Sequence, residues 1–219
     1  MVISLAPPRR ISAGRPVART RRRSAHRAYE VRPSSTSSKG MTPVPTGPIT
    51  SVSPNTGPKI HRMTTFRTAV DKDVDAVTAI VTQAFRVYLL RMDQPPAPMT
   101  ADYQALVEAG QVRVAADEND ELLGLLVLRP TADHLSVDTL AVRPSAQGAG
   151  IGQQLLTAAE DEAGRLGLPA VVLCTNEVMI ENLAYYPRHG YQPTHRIEEN
   201  GFRRVYFRKP VPAPETPAS

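Results

Sequence analysis

The sequence contains a single cysteine, Cys174, and no tryptophan. One cysteine excludes an intramolecular disulfide, which favours a reducing compartment. The longest apolar run, residues 122–128, has the length of a buried strand and falls far short of the roughly 20 residues that a membrane helix needs. The N-terminus lacks the apolar region of a secretory signal. We therefore expect a cytoplasmic protein with no membrane partner.

Acidic residues are almost missing from the start of the chain. Residues 1–60 carry eleven Lys and Arg but one acid, Glu30, so this segment has a charge of about +10. Because the whole chain is +5, residues 61–219 carry about −5. A mildly acidic domain is a poor partner for a phosphate backbone, so we expect no nucleic-acid binding except through the basic segment.

The basic segment is also rich in Ser, Thr, Pro and Gly, and we expect residues 1–60 to be a disordered tail. Three interpretations stay open: a functional tail that binds anionic surfaces, a targeting segment, or upstream sequence ahead of a true start at Met63 or Met41. We expect one folded domain over residues 61–211 and a second disordered tail over residues 212–219.

Hydrophobic periodicity in the folded part predicts an α/β domain, with a mixed central sheet of about seven strands and flanking helices. Strands are expected at residues 65–70, 111–117, 122–130, 134–142 and 169–175, and as a hairpin within 191–211. Helices are expected after a cap at Asp71 or Asp73, over 101–110 after a cap at Thr100, and at 153–166 and 177–186.

Three glycines, Gly148, Gly150 and Gly152, fall within five positions between a predicted strand and a predicted helix. A helix N-terminus offers unpaired N–H groups, and glycine lets an anion approach them, so the turn is expected to bind phosphate. A P-loop is excluded because no lysine lies between Lys72 and Lys209. The G-x-G-x-G spacing also departs from the dinucleotide fingerprint. A turn that only tightens the strand–helix connection is the alternative.

The run from Gln147 to Gly152 resembles the Q/R-x-x-G-x-G/A signature of the GNAT superfamily of acetyl-CoA-dependent N-acetyltransferases. Residues 179–191, "MIENLAYYPRHGY", are similar to the family's second block, a helix with Asn and Tyr that ends in Gly-Tyr or Gly-Phe. The resemblance spans about residues 64–210. It implies a GNAT-like acyl-CoA N-acyltransferase fold and transfer of the acetyl group of acetyl-CoA directly to a primary amine of a small molecule or peptide.

The resemblance also implies where acetyl-CoA binds as co-substrate. Backbone N–H groups of the glycine turn would hold the CoA diphosphate, and pantetheine would pair with the fourth strand where the fourth and fifth strands splay apart. An N–H near Val142 would polarise the thioester carbonyl. The implied cofactor-binding residues are Leu140, Ala141, Val142, Gln147, Gly148, Ala149, Gly150, Ile151, Gly152, Gln153 and Asn182.

Tyr186 is the proton donor to the CoA sulfur that the resemblance implies, with Asn182 one helical turn earlier. The sequence departs from the family at Pro187, where an acidic residue is more common. A residue before proline is disfavoured in helical conformation, so we expect Tyr186 at the helix end. Tyr185 is a second candidate donor, and a purely structural tyrosine is the alternative.

Asp138 is the candidate general base, because it precedes Val142 by four residues and so shares its strand face. A structurally paired Asp138 is an equal alternative, Glu177 is the second candidate, and deprotonation through water needs no base at all. Cys174 is expected in the core. His134, His189 and His195 show no metal-ligand spacing, so no metal is expected.

The acceptor stays open between small metabolites and peptides. Residues 85–103 are expected to shape its pocket, either through Phe85, Tyr88, Arg91 and Tyr103 or with the aromatics serving only in packing. A homodimer is compatible with the family. The alternative function is a non-catalytic acyl-CoA-binding regulatory module, which would keep the glycine turn and lose the proton donor.

Overall fold

The strands predicted from periodicity form one mixed sheet in the computed structural model, which describes residues 2–4 and 64–212 of the chain. The strands are β1 Val2–Ser4, β2 Thr65–Thr68, β3 Val112–Ala116, β4 Leu122–Pro130, β5 Leu135–Val142, β6 Ala170–Asn176, β7 Gln192–Glu199 and β8 Phe202–Pro210. Seven of them follow the order β2-β3-β4-β5-β6-β8-β7 across the sheet, and β1 pairs with β5 outside that path. The β5–β6 pair is parallel and the other neighbours are antiparallel.

Two layers of helices cover the sheet. The helices are α1 Val74–Phe85, α2 Tyr103–Glu108, α3 Ile151–Arg165 and α4 Ile180–Arg188. Apolar residues of α1 and α2 pack against Leu125, Val127 and Ala141, on what we call the α1 face. Apolar residues of α3, with Tyr186 of α4, pack on the opposite α3 face. Because each strand alternates its side chains between two covered faces, residues 122–128 of β4 are apolar on both faces.

Local differences from the sequence predictions have identifiable causes. Helix α2 is capped by Asp102, whose side chain accepts the Ala105 N–H at 3.1 Å, whereas Thr100 ends a 3-10 turn, Ala97–Thr100. Helix α3 begins at Ile151, two residues earlier than expected, because Gly150 adopts the left-handed N-cap conformation. Helix α4 continues through Pro187 to Arg188, so Tyr186 is not its last residue.

Strands β5 and β6 are paired only over residues 135–137 and 171–173. Beyond Val137 they separate, and we call the space beside residues 139–142 the β5–β6 gap. Strand β1 lies in this gap: it pairs antiparallel with residues 139–141 of β5 and also contacts β6. Residues 2–4 thus form a strand within the predicted tail, while the rest of residues 1–60 and residues 213–219 lie outside the described part, so the two disordered tails stay predictions.

None of the helices in the two described ranges is long and apolar enough to cross a membrane.

Candidate functional site

The glycine turn links the end of β5 to the start of α3. A 3-10 turn, Pro144–Ala146, leads into Gln147, and Gly148 and Gly150 then have φ of +80° and +85°. These left-handed conformations favour glycine over residues with a Cβ. The two glycines are thus explained by the backbone conformation of the turn alone, without reference to a ligand.

The turn presents a row of unused backbone donors. Among the described residues, the N–H groups of residues 148–152 have no hydrogen-bond acceptor, whereas the Gln153 N–H donates to Gly150 O at 3.0 Å. The Gln153 N–H is thus engaged within the turn, while Gln153 itself lines the pocket, so its predicted role in cofactor binding stays a prediction. Unused donors at a helix N-terminus, joined by the helix dipole, form a site for an anion.

A pocket of about 250 Å³ opens beside these donors. It is lined by the glycine turn, by Val142 at the end of β5, and by Tyr185 and His189 of the α4 region. The Tyr185 and His189 rings are stacked with centroids 4.0 Å apart, so they form a flat wall opposite the turn. The pocket thus joins the anion-binding turn directly to the end of the β5–β6 gap.

Backbone alternation decides which groups of β5 face the gap. The Arg143 N–H donates to Leu123 O on β4 at 2.8 Å, so Val142 and Leu140 direct their N–H and C=O groups the other way, into the gap. The Gln147 side-chain amide donates to Val142 O at 3.1 Å. Gln147 therefore satisfies the Val142 carbonyl, the Val142 N–H faces the gap, and Ala141 faces β4.

Strand β1 uses part of the same edge. Ile3 is paired with Leu140, the residue whose backbone groups face the gap, and Val2 and Ser4 are paired with Ala141 and Thr139. The β5 edge that the family resemblance assigns to pantetheine can thus pair with an extended chain. Strand β1 fills part of it.

Tyr186 is fully buried on the α3 face, where its ring contacts Tyr185, Tyr191 and Phe207. Burial raises the pKa of Tyr186 well above its usual value, so the phenol stays protonated at neutral pH. Burial also raises the pKa of Tyr185, which is only partly buried and borders the pocket. The structure thus places one tyrosine in the core and the other on the pocket wall.

Asn182 lies one turn before Tyr186 and is also buried. Its side-chain amide donates to Thr175 Oγ1 at 3.0 Å, at the end of β6. This bond fixes α4 against the strand that borders the gap, so Asn182 has at least a positioning role.

Asp138 is engaged in an ion pair. Arg129 of β4 donates from Nε to Oδ2 at 2.9 Å and from Nη2 to Oδ1 at 3.2 Å, and Ser136 Oγ donates to Oδ1 at 2.7 Å. Glu177 is likewise bound by Arg203, at 2.8 Å. Asp138 therefore accepts charge-assisted hydrogen bonds and Glu177 is held in an ion pair, which favours the structurally paired alternative for Asp138.

Residues 86–100 connect α1 to α2 and reach two other elements. Arg91 forms an ion pair with Glu181 of α4 at 2.8 Å, and Gln94 donates to Asn200 O in the β7–β8 turn at 2.7 Å. Phe85 and Tyr103 are buried in the α1-face core, which favours the packing alternative for these two aromatics. Arg91 remains at the surface of the segment expected to shape the acceptor pocket.

One charged residue escaped the sequence analysis. Arg204 of β8 is 2% exposed, and its Nη1 and Nη2 atoms are buried without a hydrogen-bond acceptor in the described residues. The available signal was its position before Val205 and Phe207, core residues of the α3 face, which puts Arg204 on the α1 face. Surface strands also alternate apolar and basic residues, so the pattern alone predicted an exposed side chain.

Cys174 behaves as a structural residue, and the described residues form no cluster of metal ligands. Cys174 is fully buried, and burial raises its pKa to about 12, so it is a neutral core thiol and not a nucleophile. Within residues 2–4 and 64–212, no three His, Cys, Asp or Glu residues cluster as metal ligands.

Comparisons with known proteins agree with this geometry. The model of the acetyltransferase (GNAT) family matches residues 75–191. The uncharacterized N-acetyltransferase YhfO of Bacillus subtilis (strain 168) is 30% identical over 155 residues, which cover 68% of this chain and 98% of YhfO.

Solved structures share the fold. The PaiA N-acetyltransferase of Thermoplasma acidophilum, in complex with coenzyme A, aligns with a TM-score of 0.58 at 14% identity, over 68% of this chain and 99% of PaiA. The acetyltransferase yncA of Salmonella typhimurium, with acetyl-CoA, aligns with a TM-score of 0.54 at 21% identity, over 72% of this chain and 99% of yncA.

Proposed function

This chain belongs to the acetyltransferase (GNAT) family, and from that premise we propose that it transfers the acetyl group of acetyl-CoA directly to a primary amine of a small molecule or peptide. Acetyl-CoA is a co-substrate in this reaction, and no metal takes part. The acceptor approaches the thioester from the α1 face, because the glycine turn and α3 occupy the opposite one.

The observation that carries the proposal is the continuity of the anion-binding turn with the β5 edge. Unused N–H groups of residues 148–152 lie at one end of the pocket, and the Val142 N–H faces the gap at the other. A CoA molecule has a diphosphate at one end of a strand-like chain with two amides. The turn suits the diphosphate, and the β5 edge suits the amides.

The proposed transfer proceeds by direct attack of the amine on the thioester. The neutral amine attacks the thioester carbonyl carbon, and the Val142 N–H stabilises the negative charge that develops on the carbonyl oxygen. The attack forms the C–N bond, and the C–S bond breaks when the tetrahedral intermediate collapses. Tyr186 donates its proton to the leaving sulfur and regains one from solvent, while the attacking nitrogen loses its extra proton and the amide product results.

Water is the acceptor of that amine proton. Asp138 accepts hydrogen bonds from Arg129 and Glu177 forms an ion pair with Arg203, so neither is assigned as the base. The role that we propose for Asp138 is to hold Arg129 and Ser136 on the α1 face beside the gap.

The test is release of CoA thiol from acetyl-CoA with a panel of primary amines. We expect turnover by the wild type, and a fall in kcat of about 10²-fold or more for Tyr186→Phe, with unchanged CoA affinity. Tyr185→Phe is the matched control, because it removes the hydroxyl of the neighbouring tyrosine, keeps that ring on the pocket wall and should leave kcat close to the wild-type value.

Equal kcat values for the wild type and Tyr186→Phe would remove Tyr186 from the mechanism. Tight CoA binding with no turnover across the whole panel would instead favour the non-catalytic acyl-CoA-binding module. Absence of CoA binding would contradict both functions.

A further inference from the structure

We propose that Arg204 binds a carboxylate of the acceptor, so that the acceptor is a primary amine that also carries a carboxylate, such as a free amino acid or a short peptide. This inference rests on the proposed function, which it narrows from amines in general to one chemical class.

The first argument is the unmet bonding capacity of Arg204. A guanidinium is always charged and carries a planar fork of N–H donors, and burying it without acceptors is costly. The Nη1 and Nη2 atoms of Arg204 are buried and lack hydrogen-bond acceptors among the described residues. These two atoms form the end of the fork that binds a carboxylate through two parallel bonds.

The residues around Arg204 do not supply the missing acceptor. Glu199 Oε1 lies 3.3 Å from Nη1, an ion-pair distance without hydrogen-bond geometry, and it already accepts the Tyr206 hydroxyl at 3.2 Å. Phe202 contributes only a ring face, 5.1 Å from the guanidinium carbon. Cys174 does interact with Arg204 through its sulfur, but a neutral thiol is only a weak acceptor for a guanidinium.

The second argument is the position of Arg204 relative to the gap. It is paired with Asn176 at the end of β6, the strand that borders the gap. Val205, Leu173 and Val137 pack on the α3 face, so their neighbours Arg204, Cys174 and Asp138 lie on the α1 face. Arg204 therefore lies on the face from which the acceptor approaches, one strand away from the gap.

The third argument concerns residues 86–100, the segment that lies over the α1 face. Gln94 in residues 86–100 is bound to Asn200 in the turn that precedes Arg204, and Arg91 is bound to Glu181 of α4. An acceptor held between this segment and the sheet would have its carboxylate toward Arg204 and its amine toward the gap. The Arg129–Asp138 pair is internally neutralised, which leaves Arg204 as the cation with free donors in this cluster of the described residues.

The experiment compares matched ligands that differ only in the carboxylate. Glycine, β-alanine and 4-aminobutyrate are paired with methylamine, ethylamine and propylamine, and diglycine is added to separate a free amino acid from a peptide. Calorimetry on the full-length protein saturated with CoA measures binding. We expect at least one carboxylate to bind about tenfold to a hundredfold more tightly than its amine counterpart.

Arg204→Met should abolish this preference, and Arg204→Lys should retain part of it, because lysine keeps the charge but not the fork. Arg208→Met is the matched control: Arg208 lies on the same strand and face, and its side chain is 38% exposed. Arg204→Met should also unfold at the same or a higher temperature than the wild type, because it removes a buried charge that lacks acceptors.

Equal affinity for carboxylates and their amine counterparts would overturn the proposal, as would a full preference in Arg204→Met. If that variant does not fold, a full preference in Arg204→Lys would overturn it. Release of CoA thiol, measured with the same ligands, distinguishes failure of the proposed transferase function from failure of the carboxylate site. Carboxylate-dependent binding without any turnover refutes the transferase function and keeps the carboxylate site, whereas acetylation of both classes alike refutes the carboxylate site alone.

Discussion

Ile3 and Leu140 face each other in an antiparallel register, on the edge of β5 that borders the β5–β6 gap. Because the backbone groups of Leu140 point into the gap, this pair is the hydrogen-bonded position of the β1–β5 ladder. The proposed function assigns the same edge to pantetheine. The N-terminal strand and the cofactor therefore require the same backbone groups.

Weakening β1 should strengthen cofactor binding. Ile3→Pro removes the N–H that faces Leu140, so acetyl-CoA no longer has to displace an intact ladder. We expect the KM for acetyl-CoA to fall about threefold to tenfold, the equivalent of about one hydrogen bond. Ile3→Ala keeps the N–H and serves as the control. An unchanged KM in Ile3→Pro would show that β1 does not compete with the cofactor.

The glycine turn can be tested by a pair of identical substitutions. Gly150 and Gly167 stand at the two ends of α3 with φ of +85° and +69°, and a Cβ would meet no atom within 4 Å at either position. Gly150→Ala and Gly167→Ala should therefore lower the free energy of unfolding equally, by about 1 kcal/mol. Only Gly150→Ala should weaken CoA binding, because its Cβ intrudes on the anion site. Equal CoA affinities in calorimetry would favour a turn with a purely structural role.

The Arg67–Asp73 ion pair should make stability depend on pH. Arg67 donates to both Asp73 oxygens, at 2.6 and 3.0 Å, and holds the pKa of Asp73 below its ordinary value of 3.8. A lowered folded-state pKa adds stability above the unfolded pKa and loses it as pH falls through the folded value. Asp73→Asn should lose about 1–3 kcal/mol at pH 7, and this difference should shrink below about pH 4.

Denaturant unfolding at several pH values measures this difference, and Asp71→Asn, at an exposed carboxylate in the same turn, is the control. A loss in Asp73→Asn that is constant from pH 7 to pH 3 would argue against the ion pair as its cause.

Gly124 of β4 is required by close packing, since a Cβ there would lie 2.8 Å from Ala141 O and 3.1 Å from Leu155 Cδ1. Gly124→Ala should lower the free energy of unfolding by about 1–3 kcal/mol. Gly164→Ala in α3 should instead raise it by about 0.5 kcal/mol, because its Cβ makes only a 3.7 Å contact with Val211. Thermal unfolding of both variants checks the opposite signs, and a stable Gly124→Ala would contradict this packing.

The sequence determined the elements whose causes are local. Apolar spacing specified the strands and helices of the sheet layers, and the fold class and the family were confirmed. The glycine turn was predictable because left-handed backbone and unpaired donors at a helix start depend on a few adjacent residues. The roles of Tyr186, Asn182 and the β5 edge stay predictions, since each depends on a ligand.

The tertiary structure decided what depends on contacts between distant residues. Periodicity carries no information about which strand fills a gap, so it did not show β1 beside β5. Periodicity also did not show that Arg129 forms an ion pair with Asp138, because a cross-strand ion pair depends on register. Arg204 is the clearest case: an arginine in an alternating strand is ordinarily solvated, and only the packing around β8 buried this one, one strand away from the gap.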